Sequence, residues 1–280
     1  MKIKFGLNLF AKESLLYALT MALGLVVSYR YGHILLGSSQ LVATEYGIKD
    51  IFVVALIIII LVAIQRSQVA SRWFYRIFLI IFIFGGAQTV GDVFFAFPIS
   101  FYFALIVVAL FIFWRTVLMH NFGLVLAIAG LASIIGLGLS PKIAIVALLV
   151  LSFYDIIAVY KTRHMVAMAR SMILSGAPFG FVVPIQWAGF FNNKDEAQSK
   201  IGDKFMLLGA GDVGLPILLM SSIVLSSIWS GIIVGLFALI GVFVTHLLFI
   251  NQDKREPMAA LPPIATLAII GYLLTIFLNI

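Results

Sequence analysis

Apolar residues run along this chain in long blocks separated by short polar joints. The blocks predict nine spans, at about 14–32, 51–65, 75–95, 99–114, 122–139, 143–160, 206–226, 230–250 and 260–279. About 20 apolar residues cross a bilayer as a helix. Strands of a membrane barrel would be about half that length and would alternate apolar with polar positions. These blocks do not alternate, so each predicts a helix, which satisfies its backbone groups internally in lipid. The first block follows Lys2, Lys4 and Lys12, like the basic start of a signal peptide. It then runs on to Tyr29-Arg30-Tyr31 without a small-residue cleavage site, so it reads as an uncleaved first helix.

Composition sharpens the pattern. Of 280 residues, 63% are hydrophobic and only 10% charged, against roughly 25% charged in ordinary soluble domains. Mean hydropathy is +1.19. So few charges cannot cover a soluble fold of this size, and disorder needs the opposite composition. The expected fold class is an all-α polytopic membrane protein with nine transmembrane helices in one membrane domain, 1–280. Helices 1–6 fill about 14–160, a cytoplasmic loop 161–205, and helices 7–9 about 206–279. Cysteine is absent, which excludes disulfides and thiol chemistry. No internal repeat is visible.

A net charge of +7 could suggest a nucleic-acid partner, but its distribution speaks for topology. One face of the nine-span layout holds Lys2, Lys4, Lys12, Arg66, Arg72, Arg76, Arg115, Lys161, Arg163, Arg170, Lys194, Lys200, Lys204, Lys254 and Arg255, 15 in all. The other face holds 3: Arg30, Lys49 and Lys142. This bias predicts a multi-pass cell-membrane protein with its N-terminus in the cytoplasm and its C-terminus outside. No nucleic-acid partner is implied.

The loop 161–205 differs from the rest. It opens basic, from Lys161 to Arg170. An apolar stretch from Ile173 to Trp187 follows, interrupted by Gly176, Pro178, Gly180 and Pro184. That stretch is too broken for a span. It reads as a re-entrant or interfacial segment, or else as plain linker. Asn192 to Lys204 is polar and reads as mobile.

Three acids fall inside spans: Asp92, Asp155 and Asp212. A carboxylate at the bilayer centre costs roughly 2.5–3.5 kcal/mol even on lenient scales, so such residues are kept for function or for a buried partner. Asp155 lies about five residues, or roughly 8 Å, from the cytoplasmic end of span six. Asp212 lies about six or seven residues, or roughly 10 Å, into span seven. The two spans are antiparallel, so both carboxylates come to one depth. Carboxylates that meet hold one proton between them, and one can act as base on a water while the other acts as acid. Gly209 and Gly211 beside Asp212 are expected to let a neighbouring backbone approach, unless they serve only helix packing. A third element, Glu256 to Ile264, opens span nine at the same face. Pro262 and Pro263 suit the first turn of a helix. The non-helical backbone before them is suited to present amides and carbonyls to an extended peptide.

In this order, Tyr154-Asp155 with Ala158-Val159, Gly209-x-Gly211-Asp212, and Ala259-Ala260-Leu261-Pro262 resemble the presenilin and signal peptide peptidase family of intramembrane aspartyl proteases. The resemblance extends to the nine-span, presenilin-like layout and the long loop between spans six and seven. It implies a catalytic dyad of Asp155 and Asp212, with Tyr154, Gly209, Gly211, Ala259, Ala260, Leu261 and Pro262 lining or supporting the site. It also implies transmembrane peptides or membrane proteins as substrates, in the lipid bilayer, and no cofactor. Ala259 stands where the family has its first Pro. Val213 to Pro216 look like the signal-peptide-peptidase branch, whereas the cytoplasmic N-terminus looks like the presenilin branch. The short chain resembles a microbial, archaeal-type homologue. No obligate partner subunit is evident, and the pattern is compatible with a homo-oligomer.

Other residues carry weaker signals. Asp92 lies near the outer end of span three, on the wrong side for the dyad, and reads as structural or snorkelling, or else as a water-access or ion site. Tyr154 is either a hydrogen-bonding neighbour of the dyad or a packing residue. His33, His120, His164 and His246 are scattered without metal-ligand spacing, so no metal is expected. Of these, His246 falls within a span and reads as packing. Trp73, Trp114, Trp187 and Trp229 sit near expected membrane interfaces. The main alternative is a proton- or cation-coupled transporter, which also uses intramembrane acids and glycine-broken helices. A prepilin-type peptidase shares GxGD but leaves Tyr154-Asp155 and Leu261-Pro262 unexplained. A catalytically silent scaffold would have no use for two intact aspartates.

Overall fold

The computed structural model describes residues 6–37, 68–202, 204–252 and 256–279. The span predicted at 51–65 lies outside the described residues, as do Lys49, Arg66, Lys254 and Arg255. The described chain is mostly helical. Helix α1 is Leu7–Gly37, α2 Gln68–Phe94, α3 Ile99–Phe113, α4 Val117–Leu137 and α5 Pro141–Ile156. A π-helical turn, Ile157–Lys161, extends α5, and α6 is His164–Leu174. Then come β1 (Gly180–Pro184), a 3-10 turn (Trp187–Phe191), α7 (Lys194–Ser199) and β2 (Phe205–Gly209). Three helices close the chain: α8 Ala210–Ile223, α9 Ile228–Ile250 and α10 Leu261–Phe277.

Among the described residues, five helical segments are long and apolar enough to cross a membrane: Leu7–Leu36, Trp73–Phe94, Val117–Leu137, Pro141–Lys161 and Ile228–Ile250. Predicted spans four, seven and nine appear as shorter apolar helices, Ile99–Phe113, Ala210–Ile223 and Leu261–Phe277. Three of the longer helices start on side-chain caps. Ser140 caps α5 by accepting the Ile143 amide, ahead of a Pro in its first turn. Thr116 accepts the Met119 amide at the start of α4, and Ser227 accepts that of Ser230 at the start of α9.

Helix α4 forms the centre and packs against α1, α2, α8 and β1. Its crossing with α2 is backbone on backbone. A Cβ added at Gly130 would lie 2.3 Å from the Gly86 carbonyl oxygen, and one at Gly86 would lie 2.3 Å from the Ala127 Cα. Only glycine allows that approach, the usual device where lipid leaves no hydrophobic drive between helices.

The expectation of an all-α fold needs correction, because β1 and β2 form an antiparallel pair with Gly180 opposite Gly209 and Pro184 opposite Phe205. Predicted span seven therefore begins as a strand, and its helix starts only at Ala210. The physical reason is a long-range pairing. The Gly- and Pro-broken stretch of the loop supplies a strand that the apolar run 205–209 can match. Phe181, Val182 and Val183 have no exposed surface, so this segment is part of the core and not an interfacial flap. Nor is the polar part of the loop loose. Asn193 caps α7 through the Asp195 amide, Lys194 N–H donates to the Arg115 carbonyl at 2.8 Å, and Arg115 pairs with Asp195 at 2.9 Å.

Candidate active site

The two strands build one wall of the site, and their register shows which backbone groups are used. The Ile185 amide donates to the Lys204 carbonyl and the Ala210 amide to the Phe179 carbonyl. Alternation then makes Phe181 with Leu208, and Val183 with Met206, the hydrogen-bonded pairs. Gly180, Val182 and Pro184 turn their polar groups away from β2, and side chains answer them there. His120 Nε2 lies 3.1 Å from the Gly180 carbonyl. Asn121 accepts the Val182 amide and donates to the Val182 carbonyl, both at 2.9 Å. Lys12 donates to the carbonyls of Pro184 and Ile185. Pro184 has no amide to leave unpaired.

The outer edge of β2 is different. Phe205 is engaged at both groups, with Lys200 and Gly202. Leu207 turns its amide and carbonyl outward, and among the described residues nothing hydrogen-bonds to them. This edge leads directly into Gly209 and the first turn of α8.

Asp212 lies in that first turn. Its carboxylate folds back toward Gly209, the helix N-cap, whose backbone amide interacts with it. A Cβ at Gly209 would come within 2.9 Å of Asp212 Oδ2. The need for glycine there is therefore set by the aspartate itself. No described atom lies within 4 Å of the Cβ position at Gly211, which is exposed. The expected close approach of a neighbouring backbone is not made at either glycine, because this turn borders an opening and not a helix crossing.

Asp155 stands in the last turn of α5, 4% exposed. It accepts the Leu261 amide at 3.3 Å. Asp155 and Asp212 are close enough for the charge of one to act on the other. The π-helical turn begins two residues after Asp155, a distortion often found at functional sites. Tyr154 is 53% exposed, and among the described residues it makes no hydrogen bond to either aspartate. Ala259 and Leu261 are buried, while Ala260 and Pro262 are half-buried. The Ala260 carbonyl accepts from Thr245 of α9 at 3.4 Å.

Several residues around the site were not singled out from sequence. Lys12 was expected in the cytoplasmic tail, but α1 begins at Leu7 and the ammonium is fully buried. Glu13 is buried against His246, with Oε2 2.8 Å from Nδ1. Tyr17 donates to the Asp212 carbonyl at 3.4 Å. Lys12 and Glu13 fall just before the first apolar block, where charge is read as topology and not as a buried contact. Asp92 is far from this group in sequence and accepts from Gln88 at 2.8 Å, which also donates to Ser100.

A buried Asp155 and a half-buried Asp212 from two helices, a third segment donating an amide to one of them, and a bundle of apolar helices are the parts a membrane-embedded aspartyl hydrolase needs. The family model of signal-peptide peptidase, presenilin aspartyl protease matches residues 18–279, and the chain belongs to that family. It is a multi-pass membrane protein and an intramembrane aspartic endopeptidase. Two solved structures of presenilin family intramembrane aspartate proteases share its fold. One, in space group C222, is 21% identical with a TM-score of 0.58, over 93% of this chain and 94% of that chain. The other, in space group P2, is 23% identical with a TM-score of 0.58, over 95% and 96%. Comparison with curated proteins gives no match. The family match supports the protease reading and not the transporter alternative.

Proposed function

We propose that Asp155 and Asp212 are the catalytic dyad and that the chain cleaves peptide bonds within or near transmembrane helices of membrane-protein substrates. The observation that carries this reading is the nearness of a buried Asp155, which holds the Leu261 amide, to a half-buried Asp212, beside the outward-facing backbone of Leu207. A helical amide is shielded by its own hydrogen bonds, so the substrate unwinds before it is cut. An extended segment then adds to the outer edge of β2 at Leu207. The broken stretch of the loop offers no such free edge. Its strand, β1, already has its outer edge filled by His120, Asn121 and Lys12.

The dyad shares one proton. The ionised carboxylate takes a proton from water as the oxygen attacks the scissile carbonyl, and the protonated carboxyl gives its proton to the carbonyl oxygen. The resulting diol collapses as one hydroxyl gives its proton to the now ionised carboxylate, the other carboxyl passes the proton it took from water to the nitrogen, and the C–N bond breaks, which restores the one-proton dyad. Gly209 and Gly211 keep the turn around Asp212 free of bulk, and Ala259, Ala260 and Pro262 do the same for the backbone beside Asp155. Tyr154 serves the substrate side of α5. The chain works as one membrane domain with the N-terminus cytoplasmic and the C-terminus outside, needing no further subunit.

Asp155→Asn and Asp212→Asn decide the assignment. Each should abolish cleavage of a defined transmembrane peptide in detergent while preserving thermal unfolding. Full activity in either variant would refute it.

A further inference from the structure

In an α-helix the carbonyl of residue i accepts the amide of residue i+4. Four residues after Asp212, inside α8, stands Pro216. Proline has no amide, and its ring pushes away the carbonyl one turn back. The Asp212 carbonyl is therefore left without its helical partner. Buried backbone carbonyls rarely stay unanswered, because the unmade bond is costly. Here the answer comes from α1, where the Tyr17 hydroxyl donates to this oxygen at 3.4 Å. Tyr17 itself has no exposed surface, and a buried phenol needs an acceptor. Each group supplies what the other lacks.

Helix α1 is also fixed from other sides. One turn before Tyr17, Glu13 holds His246 of α9. Its neighbour Lys12 holds the end of β1. The hydroxyl is thus presented from an anchored helix, which suits it to set position.

We infer that Tyr17 is a positioning residue for Asp212: its hydroxyl stands in for the amide that Pro216 lacks and so fixes the turn that carries the carboxylate. The inference rests on Asp212 belonging to the dyad. It makes the first helix part of the catalytic assembly and not only a membrane span.

The test uses the full chain in detergent with a fluorogenic peptide carrying an apolar helix of about 20 residues. Tyr17→Phe, Pro216→Ala and the double variant are compared with wild type, Asp155→Asn and Asp212→Asn. Tyr17→Phe should lower kcat roughly ten-fold at nearly unchanged KM, since it displaces a reacting group without touching substrate. Pro216→Ala in that background returns an amide to the Asp212 carbonyl and should recover most of the loss. A tyrosine that merely fills space would not be rescued by a second change that removes volume. Wild-type kcat in Tyr17→Phe, with both asparagine variants inactive, would overturn the inference and leave the dyad standing. An unrescued double variant would overturn it too. If Tyr17→Phe does not fold, the double variant decides: folded and active supports the role, unfolded or inactive overturns it. Full cleavage by Asp212→Asn would remove the dyad and this inference together.

Discussion

The Leu261 amide donates to the Asp155 carboxylate at 3.3 Å, joining the start of α10 to the end of α5. The first amides of a helix have no partner inside it. Pro262 and Pro263 remove two of them from α10, leaving the Leu261 amide free to face Asp155. A hydrogen bond to a charged group contributes about 1.5–3 kcal/mol. Leu261→Pro deletes this donor and should lower kcat roughly ten- to hundred-fold. Leu261→Ala keeps the donor and should cost thermal stability more than kcat. Steady-state cleavage by the two variants separates the amide from the side chain. Equal kcat losses would show that the amide does not matter.

The register of the strand pair makes Leu207 a selective place to probe substrate addition. Its amide points away from β1, so Leu207→Pro removes a donor from the outer edge and leaves the ladder intact. The preceding residue is already extended, as a proline requires. The variant should unfold near the wild-type temperature yet lose roughly ten-fold in kcat/KM, mainly through KM. Leu208→Pro breaks the bond to Phe181 instead and should fail to fold. Unchanged KM in Leu207→Pro would move the substrate off this edge.

The helices and the aspartates were legible for one reason, the scarcity of charge. Against apolar blocks, Asp155 and Asp212 stand out, although the depth reckoned for Asp212 took residues 206–209 as helix and the helix starts only at Ala210. The sheet was not legible. Phe205 to Gly209 is an apolar run continuous with α8, so hydropathy reads it as helix. Only its pairing with Gly180–Pro184, across the whole loop, makes it a strand. His120 and Asn121 look like stray polar residues in the joint before span five until that strand needs side-chain partners. Tyr17 left no mark of its own. The signal was Pro216, four residues past Asp212, which announces a carbonyl in want of a donor.

Glu13 and His246 form a buried pair between α1 and α9, at 3% and 0% side-chain exposure. Removing one member leaves a buried polar group unpartnered, which costs about 3–5 kcal/mol in comparable pairs. Replacing both with apolar residues of similar size avoids that cost. Glu13→Leu alone should therefore lower the detergent unfolding temperature markedly. The Glu13→Leu/His246→Leu double variant should recover much of the loss. Additive losses, read from a double-mutant cycle, would show that the pair is not a unit.

Lys194 gives the loop 161–205 a pH dependence of definite sign. Its side chain is 7% exposed, with the ammonium 4.5 Å from the Phe111 ring. Burial pushes its pKa down to about 8; Asp195 draws it back up, and Arg115 and Arg76 press it lower. The unfolded chain keeps this proton to about pH 10.4. Below pH 8 both states are protonated and the full burial cost is present. Between the two values the unfolded chain binds more protons, so stability rises with pH through that window. Lys194→Met keeps most of the stem and removes the charge. It should be more stable than wild type at pH 7, by about 1–3 kcal/mol after the lost cation–π contact is counted. The advantage should shrink as pH approaches 10. Unfolding temperatures of both proteins from pH 7 to 10 check this, and two parallel curves would contradict it.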